Sequence, residues 1–99
     1  MYTPFTIGNT FRIVPPGTPA STDGRIDLVM DRGAFGSGEH ETTASCLELL
    51  AQLSEIREAR LLDLGSGTGI LAFAALKLGA ARAVFVDINP QAVETARRN

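Results

Sequence analysis

The stretch that most constrains the fold is Leu-Leu-Asp-Leu-Gly-Ser-Gly-Thr-Gly at residues 61–69, which runs directly into the apolar segment 70–78. It predicts a strand, a glycine loop and a helix in immediate succession. Because Gly65, Gly67 and Gly69 lack a Cβ atom, the backbone can turn sharply and direct free helix N-terminal N–H groups at a ligand. Further along, Asp87 closes a second apolar strand, where a carboxylate can accept hydrogen bonds from both ribose hydroxyls. Together the two features indicate a nucleotide-binding site.

The spacing of the glycines narrows the class of ligand. A dinucleotide-binding loop has the pattern G-x-G-x-x-G, whereas here the pattern is G-x-G-x-G and Ile70 stands where the third glycine would fall. A phosphate-binding loop for ATP needs Gly-Lys-Ser/Thr, and no lysine lies between residues 61 and 76. The charge of Asp63 would also repel a diphosphate. S-adenosylmethionine suits this loop better, because it combines a ribose for Asp87 with a sulfonium and an ammonium and carries no phosphate.

The composition is typical of one small globular domain: of 99 residues, 44% are hydrophobic and 20% are charged. The formal net charge is −2, and apart from Arg97 and Arg98 the basic residues are scattered, which predicts no direct contact with nucleic acid. The N-terminus has neither basic residues nor an apolar run long enough for a signal or membrane-spanning segment, so we expect a cytoplasmic protein without membrane contact. The single cysteine, Cys46, is expected to pack in the core.

The order of elements predicts an α/β fold. Two extended runs, Phe11–Val14 and Ile26–Asp31, are expected to pair as a hairpin across residues 19–24. A helix is expected to begin near residues 40–43, and the segments after it alternate strand and helix, which implies a parallel sheet. The predicted segments are a strand at Leu61–Leu64, a helix at 68–78 that ends at Gly79, a strand at Ala83–Val86, and a helix capped by Asn89 with Pro90 in its first turn.

Both predicted parallel strands are apolar on their two faces, which is typical of strands covered on both sides. A sheet of this class normally continues to about five or six strands, so we interpret the chain as the front part of a larger domain. Such strands keep unpaired edges. The expectation is therefore that the chain alone folds incompletely or self-associates through these edges.

Three segments resemble the ribosomal protein L11 methyltransferase family: Ala-Phe-Gly-Ser-Gly-Glu-His-Glu-Thr-Thr at 34–43, Leu-Asp-Leu-Gly-Ser-Gly-Thr-Gly-Ile-Leu-Ala at 62–72, and Val-Asp-Ile-Asn-Pro-Gln-Ala at 86–92. The glycine loop is shared by most class I methyltransferases, whereas the first segment is characteristic of this family. The resemblance implies a Rossmann-like class I methyltransferase core in truncated form. It would comprise an N-terminal extended or hairpin segment at residues 1–32 and the S-adenosylmethionine-binding part at residues 33–99.

The resemblance also implies the cofactor-binding residues. Thr43 matches a threonine that lines the cofactor pocket, and Gly65 matches the loop glycine next to the methionine part of the cofactor. Asp87 matches the acidic residue that holds the ribose hydroxyls, and Ile88 would lie against the adenine. The full predicted set is Thr43, Asp63, Gly65, Gly67, Asp87 and Ile88.

The implied activity is transfer of a methyl group from S-adenosylmethionine to amino groups of a protein such as ribosomal protein L11. Two alternatives remain: a class I methyltransferase with another acceptor, and a non-catalytic domain that binds S-adenosylmethionine or a partner. Glu41 stands where family members usually have proline, which adds charge near the pocket entrance.

Some residues have a second interpretation. Asp87 could serve only as a favourable charge near a helix N-terminus, and Thr43 could merely stabilise a helix start. His40 lies between two glutamates, but neighbours on a helix point about 100° apart, so the three side chains cannot converge on one metal ion. His40 could act as a base. Methyl transfer can instead proceed by in-line positioning of donor and acceptor, so no catalytic residue and no metal site is assigned.

Overall fold

The computed structural model describes residues 3–30, 41–65 and 67–99. The side chains of the first two residues of helix α1 are not described, and most of the predicted family segment at 34–43, including His40, lies outside the described residues. The elements, in chain order, are β1 (Phe5–Ile7), β2 (Phe11–Val14), β3 (Ile26–Val29), α1 (Glu41–Gln52), a 3₁₀ turn (Ser54–Ile56), β4 (Arg60–Leu64), α2 (Ile70–Lys77), β5 (Arg82–Val86) and α3 (Pro90–Arg98).

The N-terminal strands form a three-stranded sheet in the order β1-β2-β3. Strand β1 is antiparallel to β2, whereas β2 is parallel to β3 with Phe11 opposite Ile26. The predicted hairpin between Phe11–Val14 and Ile26–Met30 is therefore wrong, and the hairpin lies one strand earlier, between β1 and β2. Antiparallel pairing would follow from a short turn, but residues 15–25 run back along the sheet before β3 begins.

Asp27 holds this return segment in place. Its carboxylate accepts hydrogen bonds from Arg12 Nε (2.9 Å) and Arg12 Nη2 (3.2 Å), and Arg12 is its direct partner in the parallel register. The same carboxylate accepts from the backbone N–H (2.9 Å) and the hydroxyl (2.7 Å) of Ser21, and Arg12 Nη2 also donates to the carbonyl of Pro19 at 2.7 Å. The strand pair and the segment that connects it are thus fastened at one carboxylate.

Helix α2 lies between the two sheets, and α1 packs against α2 and β1. Helix α2 contacts α1 and strands β3, β4 and β5, and its sequence Ile-Leu-Ala-Phe-Ala-Ala-Leu-Lys is apolar on nearly every side. A helix that is apolar all round is one that is covered all round. The buried core joins the first sheet to this helical layer through Ile7, Phe11, Ile13, Leu28, Met30, Leu47, Ile70 and Ala74.

The second sheet is formed by β4 and β5, which are parallel as predicted, with Leu61 opposite Ala83 and Leu64 opposite Val86. The predicted helix ends are also confirmed. Gly79 follows α2 with a left-handed φ of 109°, and the Asn89 side chain caps α3 by accepting a hydrogen bond from Gln91 N at 2.9 Å.

One face of the second sheet packs on α2, but the other face is open. Leu62 is 60% exposed, Leu64 73% and Val84 49%. The exposed leucines and valines therefore form a sheet face that the described residues do not cover.

No helix formed by the described residues is long and apolar enough to span a bilayer.

We predict that Asp27→Ala lowers the free energy of unfolding by about 1.5–3 kcal/mol, because it removes hydrogen bonds to a charged acceptor. Urea denaturation would measure the change. Asp23→Ala is the matched control: among the described residues the Asp23 side chain pairs with the nearby Arg25, and the loss of this exposed pair should change stability much less than the loss of Asp27.

The stabilisation by Asp27 should depend on pH. Hydrogen bonds from Arg12 and then Ser21 hold the pKa of the Asp27 carboxyl well below its usual range. Because this pKa is lowered on folding, the stabilisation is complete above the ordinary value of 3.8 and is lost as the pH falls below it. Equal acid sensitivity of the wild type and Asp27→Ala would contradict this assignment.

We also predict that residues 1–99 alone self-associate or fold incompletely, because β4 and β5 each keep an edge that no described strand pairs. Sedimentation velocity over a range of concentrations, with hydrogen exchange of residues 82–86, would test this. A monomer that unfolds cooperatively and protects the amides throughout β5 would contradict the prediction.

Candidate functional site

The glycine loop lies at the carboxyl end of β4 and leads into the N-terminus of α2. Its first glycine is tied to the neighbouring strand, because Gly65 N donates to the carbonyl of Val86 at 2.7 Å. Gly65, Gly67 and Gly69 have φ values of 68°, 56° and 86°, all in the left-handed region that side-chain-bearing residues rarely adopt. The loop therefore requires glycine at three positions, as its sequence indicated.

The three glycines serve two different purposes. A Cβ atom placed on Gly65 or Gly67 would meet no atom within 4 Å, so these two residues border open space. A Cβ atom on Gly69 would lie 2.8 Å from Phe85 Cε2 and 2.9 Å from Phe73 Cε2. Gly69 thus allows α2 to pack closely on β5, whereas Gly65 and Gly67 leave room for a ligand to approach the backbone.

Asp87 connects the glycine loop to the segment that begins α3. One carboxylate oxygen, Oδ2, accepts from Gly67 N at 2.9 Å, and the other, Oδ1, accepts from Asn89 N at 2.9 Å. The hydrogen bond from Asn89, followed by that from Gly67, lowers the pKa of the Asp87 carboxyl below its ordinary value. A carboxylate has about four acceptor positions, so this one can still accept from two hydroxyl groups. The structure thus places Asp87 against the glycine loop, ionised and oriented.

The environment of Asp63 destabilises its charged form, whereas that of Asp87 stabilises the charge. Asp63 is half-buried on β4, and its Oδ2 atom is buried without a hydrogen-bond partner among the described residues. Burial raises the pKa of the Asp63 carboxyl, a backbone hydrogen bond from Ala72 opposes that shift, and the charge of Asp87 adds to it. A buried carboxylate oxygen without a partner is unfavourable unless a donor or cation is supplied. The site therefore favours a ligand group with positive charge near Asp63.

Thr68 is a buried polar residue of the glycine loop that the sequence analysis did not single out. It is only 8% exposed, and its hydroxyl is buried without a partner among the described residues. Its carbonyl accepts from Asn99 Nδ2 at 3.0 Å, which ties the end of α3 to the loop. No spacing signal distinguishes a threonine between two glycines, so its burial is evident only from the fold.

Two further residues of the predicted set make no hydrogen bond to the glycine loop among the described contacts. Thr43 lies in the first turn of α1 and is half-buried, and Ile88 follows Asp87 directly and is 99% exposed. The Ile88 side chain is therefore open to contact with another apolar surface. The roles of both residues stay predictions.

The comparisons with known proteins agree with this arrangement. The family model for ribosomal protein L11 methyltransferase (PrmA) matches residues 1–99. The chain belongs to the ribosomal protein L11 methyltransferase family. It is 48% identical over 104 residues to the ribosomal protein L11 methyltransferase of Pelobacter propionicus, covering 99% of this chain and 34% of that protein. The same identity over 99 residues, with the same coverage, is found with the relative from Azotobacter vinelandii.

Solved structures in the comparison show the same architecture. A ribosomal protein L11 methylase from Lactobacillus delbrueckii subsp. bulgaricus matches with a TM-score of 0.77 and 27% identity, covering 98% of this chain and 50% of that one. A putative RNA methyltransferase from Pyrococcus horikoshii matches 57% of this chain and 28% of its own, with a TM-score of 0.51 and 36% identity. The predicted family and α/β methyltransferase fold are confirmed. The chain spans about a third of the length of the curated relatives it matches.

We predict that Gly69→Ala destabilises the fold more than Gly67→Ala does. Both substitutions force alanine into the left-handed region, at about 1–2 kcal/mol each. Only Gly69→Ala adds a clash with Phe85, which adds about 1–3 kcal/mol. Thermal denaturation would measure both effects.

Gly17→Ala is the matched control for ligand binding. Gly17 has a φ of 87° and open space around it, but it lies in the return segment of the first sheet. Gly67→Ala should weaken cofactor binding, and Gly17→Ala should leave it unchanged. Equal weakening by the two would show that the effect comes from backbone strain in general.

Proposed function

We propose that this chain binds S-adenosylmethionine and forms the cofactor-binding part of a methyltransferase that modifies amino groups of ribosomal protein L11. The observation that carries the proposal is the Asp87 carboxylate, held at 2.9 Å from the Gly67 amide at the mouth of an open glycine loop. The relatives named ribosomal protein L11 methyltransferase support the reaction class and the acceptor.

The residues present fit this cofactor. Asp87 has acceptor capacity for the two ribose hydroxyls, and the buried, unpartnered Oδ2 atom of Asp63 suits the positively charged amino-acid end. Gly65 and Gly67 let the ligand approach the backbone, and Ile88 offers an apolar surface to the adenine. Thr43 completes the set at the start of α1. The charge of Asp63 disfavours the phosphates of NAD and ATP.

The bound cofactor supplies an electrophilic methyl group on a positively charged sulfur atom. The contribution of this chain is to hold the donor in one orientation, which reduces the entropic part of the barrier. No side chain of the chain needs to act as an acid or a base for this positioning. We therefore assign binding and orientation to the chain and no catalytic residue.

The proposed partner is inferred from the charge of the chain and from the names of its relatives. A protein acceptor is favoured, since the net charge is −2 and the sequence shows no basic patch suited to nucleic acid. A protein that acts on a ribosomal protein is expected in the cytoplasm. Transfer of a radiolabelled methyl group to ribosomal protein L11, by a protein that contains this chain, would test the acceptor.

Isothermal titration calorimetry with the intact protein that contains this chain tests the cofactor. We expect S-adenosylmethionine and S-adenosylhomocysteine to bind more tightly than NAD or ATP. Tighter binding of NAD would overturn the proposal.

Asp87→Ala should weaken binding roughly tenfold or more, because hydrogen bonds to a charged acceptor are lost. Since Asp87 also orders the loop through Gly67, the measurement needs a cofactor analogue that lacks both ribose hydroxyls. The wild type should bind the analogue more weakly than the cofactor. The Asp87→Ala variant should bind the cofactor and the analogue with similar affinity. Equal losses would mean that Asp87 does not contact the ribose.

Asp63 gives a pH-dependent test. Burial raises the pKa of its carboxyl above 3.8, whereas the pKa of Asp87 is lowered below 3.8. As the pH falls, Asp63 therefore takes up its proton first, and cofactor affinity should begin to fall above pH 3.8. Asp63→Asn should bind weakly at neutral pH and lack this first decline, while remaining at least as stable as the wild type in thermal denaturation. A parallel pH profile in both proteins would contradict a role for Asp63 in binding.

A further inference from the structure

Asn99, at the end of α3, makes two hydrogen bonds to different parts of the chain. Its backbone N–H donates to the Thr95 carbonyl at 3.0 Å, which continues the hydrogen bonding of α3 itself. Its side-chain Nδ2 instead donates to the carbonyl of Thr68 in the glycine loop, also at 3.0 Å and 31 positions away in sequence. A side chain that only ended its own helix would pair with carbonyls of the last turn. The Asn99 side chain therefore connects α3 to the loop.

The Thr68 carbonyl needs a donor from outside α2. In a continuous helix this carbonyl would accept from the backbone N–H of Ala72, four residues further on. Among the described contacts, Ala72 N donates to the Asp63 carboxylate, and no hydrogen bond joins it to Thr68 O. Thr68 is only 8% exposed, and a buried carbonyl without a partner is costly. Asn99 supplies the donor that this carbonyl requires.

Gly69 allows this part of the loop a second arrangement. Its φ of 86° is left-handed, and with this φ the Thr68 carbonyl stays outside the hydrogen bonding of α2. Glycine adopts right-handed φ values about as readily. With such a φ at Gly69, α2 would begin one residue earlier and the Thr68 carbonyl would accept from Ala72 N. Without Asn99, Thr68 O and the Asp63 carboxylate would therefore compete for one N–H group.

We propose that Asn99 is a positioning residue of the cofactor site, because its hydrogen bond to Thr68 O leaves the Ala72 N–H to orient the Asp63 carboxylate. The proposed function assigns the positively charged end of the cofactor to Asp63, and the inference rests on that function for the identity of the ligand. Asn99 acts through the loop and contacts no reacting atom. It is therefore a positioning residue and not a catalytic one.

The groups around Asp63 determine what the loss of Asn99 would change. Cys46 of α1 and Leu71 of α2 line the same hollow as Asp63, and Asp87 after β5 is the charged group that acts on it. Burial raises the pKa of the Asp63 carboxyl, the N–H of Ala72 lowers it, and the Asp87 charge raises it. A variant in which Ala72 N pairs with Thr68 O would therefore have a higher Asp63 pKa than the wild type.

A carboxyl NMR titration of the ligand-free intact protein that contains this chain tests the proposal without the cofactor. Asn99→Ala should raise the pKa of Asp63, and so should Asn99→Leu, which keeps the shape of the side chain but has no donor. Thr95→Val is the matched control: it removes a side-chain hydrogen bond of the same helix, to the Gln91 carbonyl, and should leave this pKa unchanged. An unchanged pKa in both Asn99 variants, or an equal rise in Thr95→Val, would overturn the proposal.

Calorimetric titration of the same proteins with S-adenosylmethionine gives a second readout. Asn99→Ala should weaken binding about tenfold at neutral pH, and its affinity should begin to fall at a higher pH than that of the wild type. Asn99→Gln, which retains the amide donor, should bind more tightly than Asn99→Ala. If the wild type does not bind S-adenosylmethionine, the proposed function fails, whereas the carboxyl titration still decides whether Asn99 positions Asp63.

Discussion

The close packing of α2 between two sheets is the constraint on which the rest of the structure depends. Ala72, Ala74 and Ala75 are fully buried, and their small side chains let sheets approach the helix from both sides. Gly69 continues this close approach at the start of the helix, where any Cβ atom would meet Phe85. Because the helix is fixed so tightly, its N-terminus and the preceding loop have a defined position relative to β5.

In that position, two carboxylates that differ in burial and hydrogen bonding lie near the carboxyl end of the parallel sheet. Asp87 accepts hydrogen bonds from two backbone N–H groups, which stabilise its charge, whereas Asp63 is half-buried with one oxygen unpartnered. The folded chain thus satisfies one carboxylate and leaves the other in need of a donor. A ligand with both hydroxyl groups and a positive charge would complete the pair, which is the physical basis for favouring S-adenosylmethionine over phosphate-bearing nucleotides.

The two sheets differ in how complete they are. The first sheet is fastened by the Arg12–Asp27 pair and buries its apolar face on the helical layer. The second sheet buries one face and exposes the other, so its leucines and valines are available for further contacts. The comparison with relatives agrees with this asymmetry, because the chain covers only about a third of their length. The glycine loop and Asp87 lie at the carboxyl ends of the two strands of this second sheet.

The sequence by itself determined the local elements, because they depend on neighbouring residues. The glycine loop, the Gly79 helix end, the Asn89 cap and the two parallel strands follow from short-range conformational preferences and apolar patterns. Pairing of the N-terminal strands was predicted wrongly, since the alternation in Ile26–Val29 is compatible with either direction. Only the tertiary contacts of Asp27 with Arg12 and Ser21 distinguish them. The separate duties of Gly67 and Gly69, the unpartnered oxygen of Asp63 and the burial of Thr68 were likewise decided by tertiary structure, because each depends on atoms that are distant in the chain or on the solvent excluded by packing.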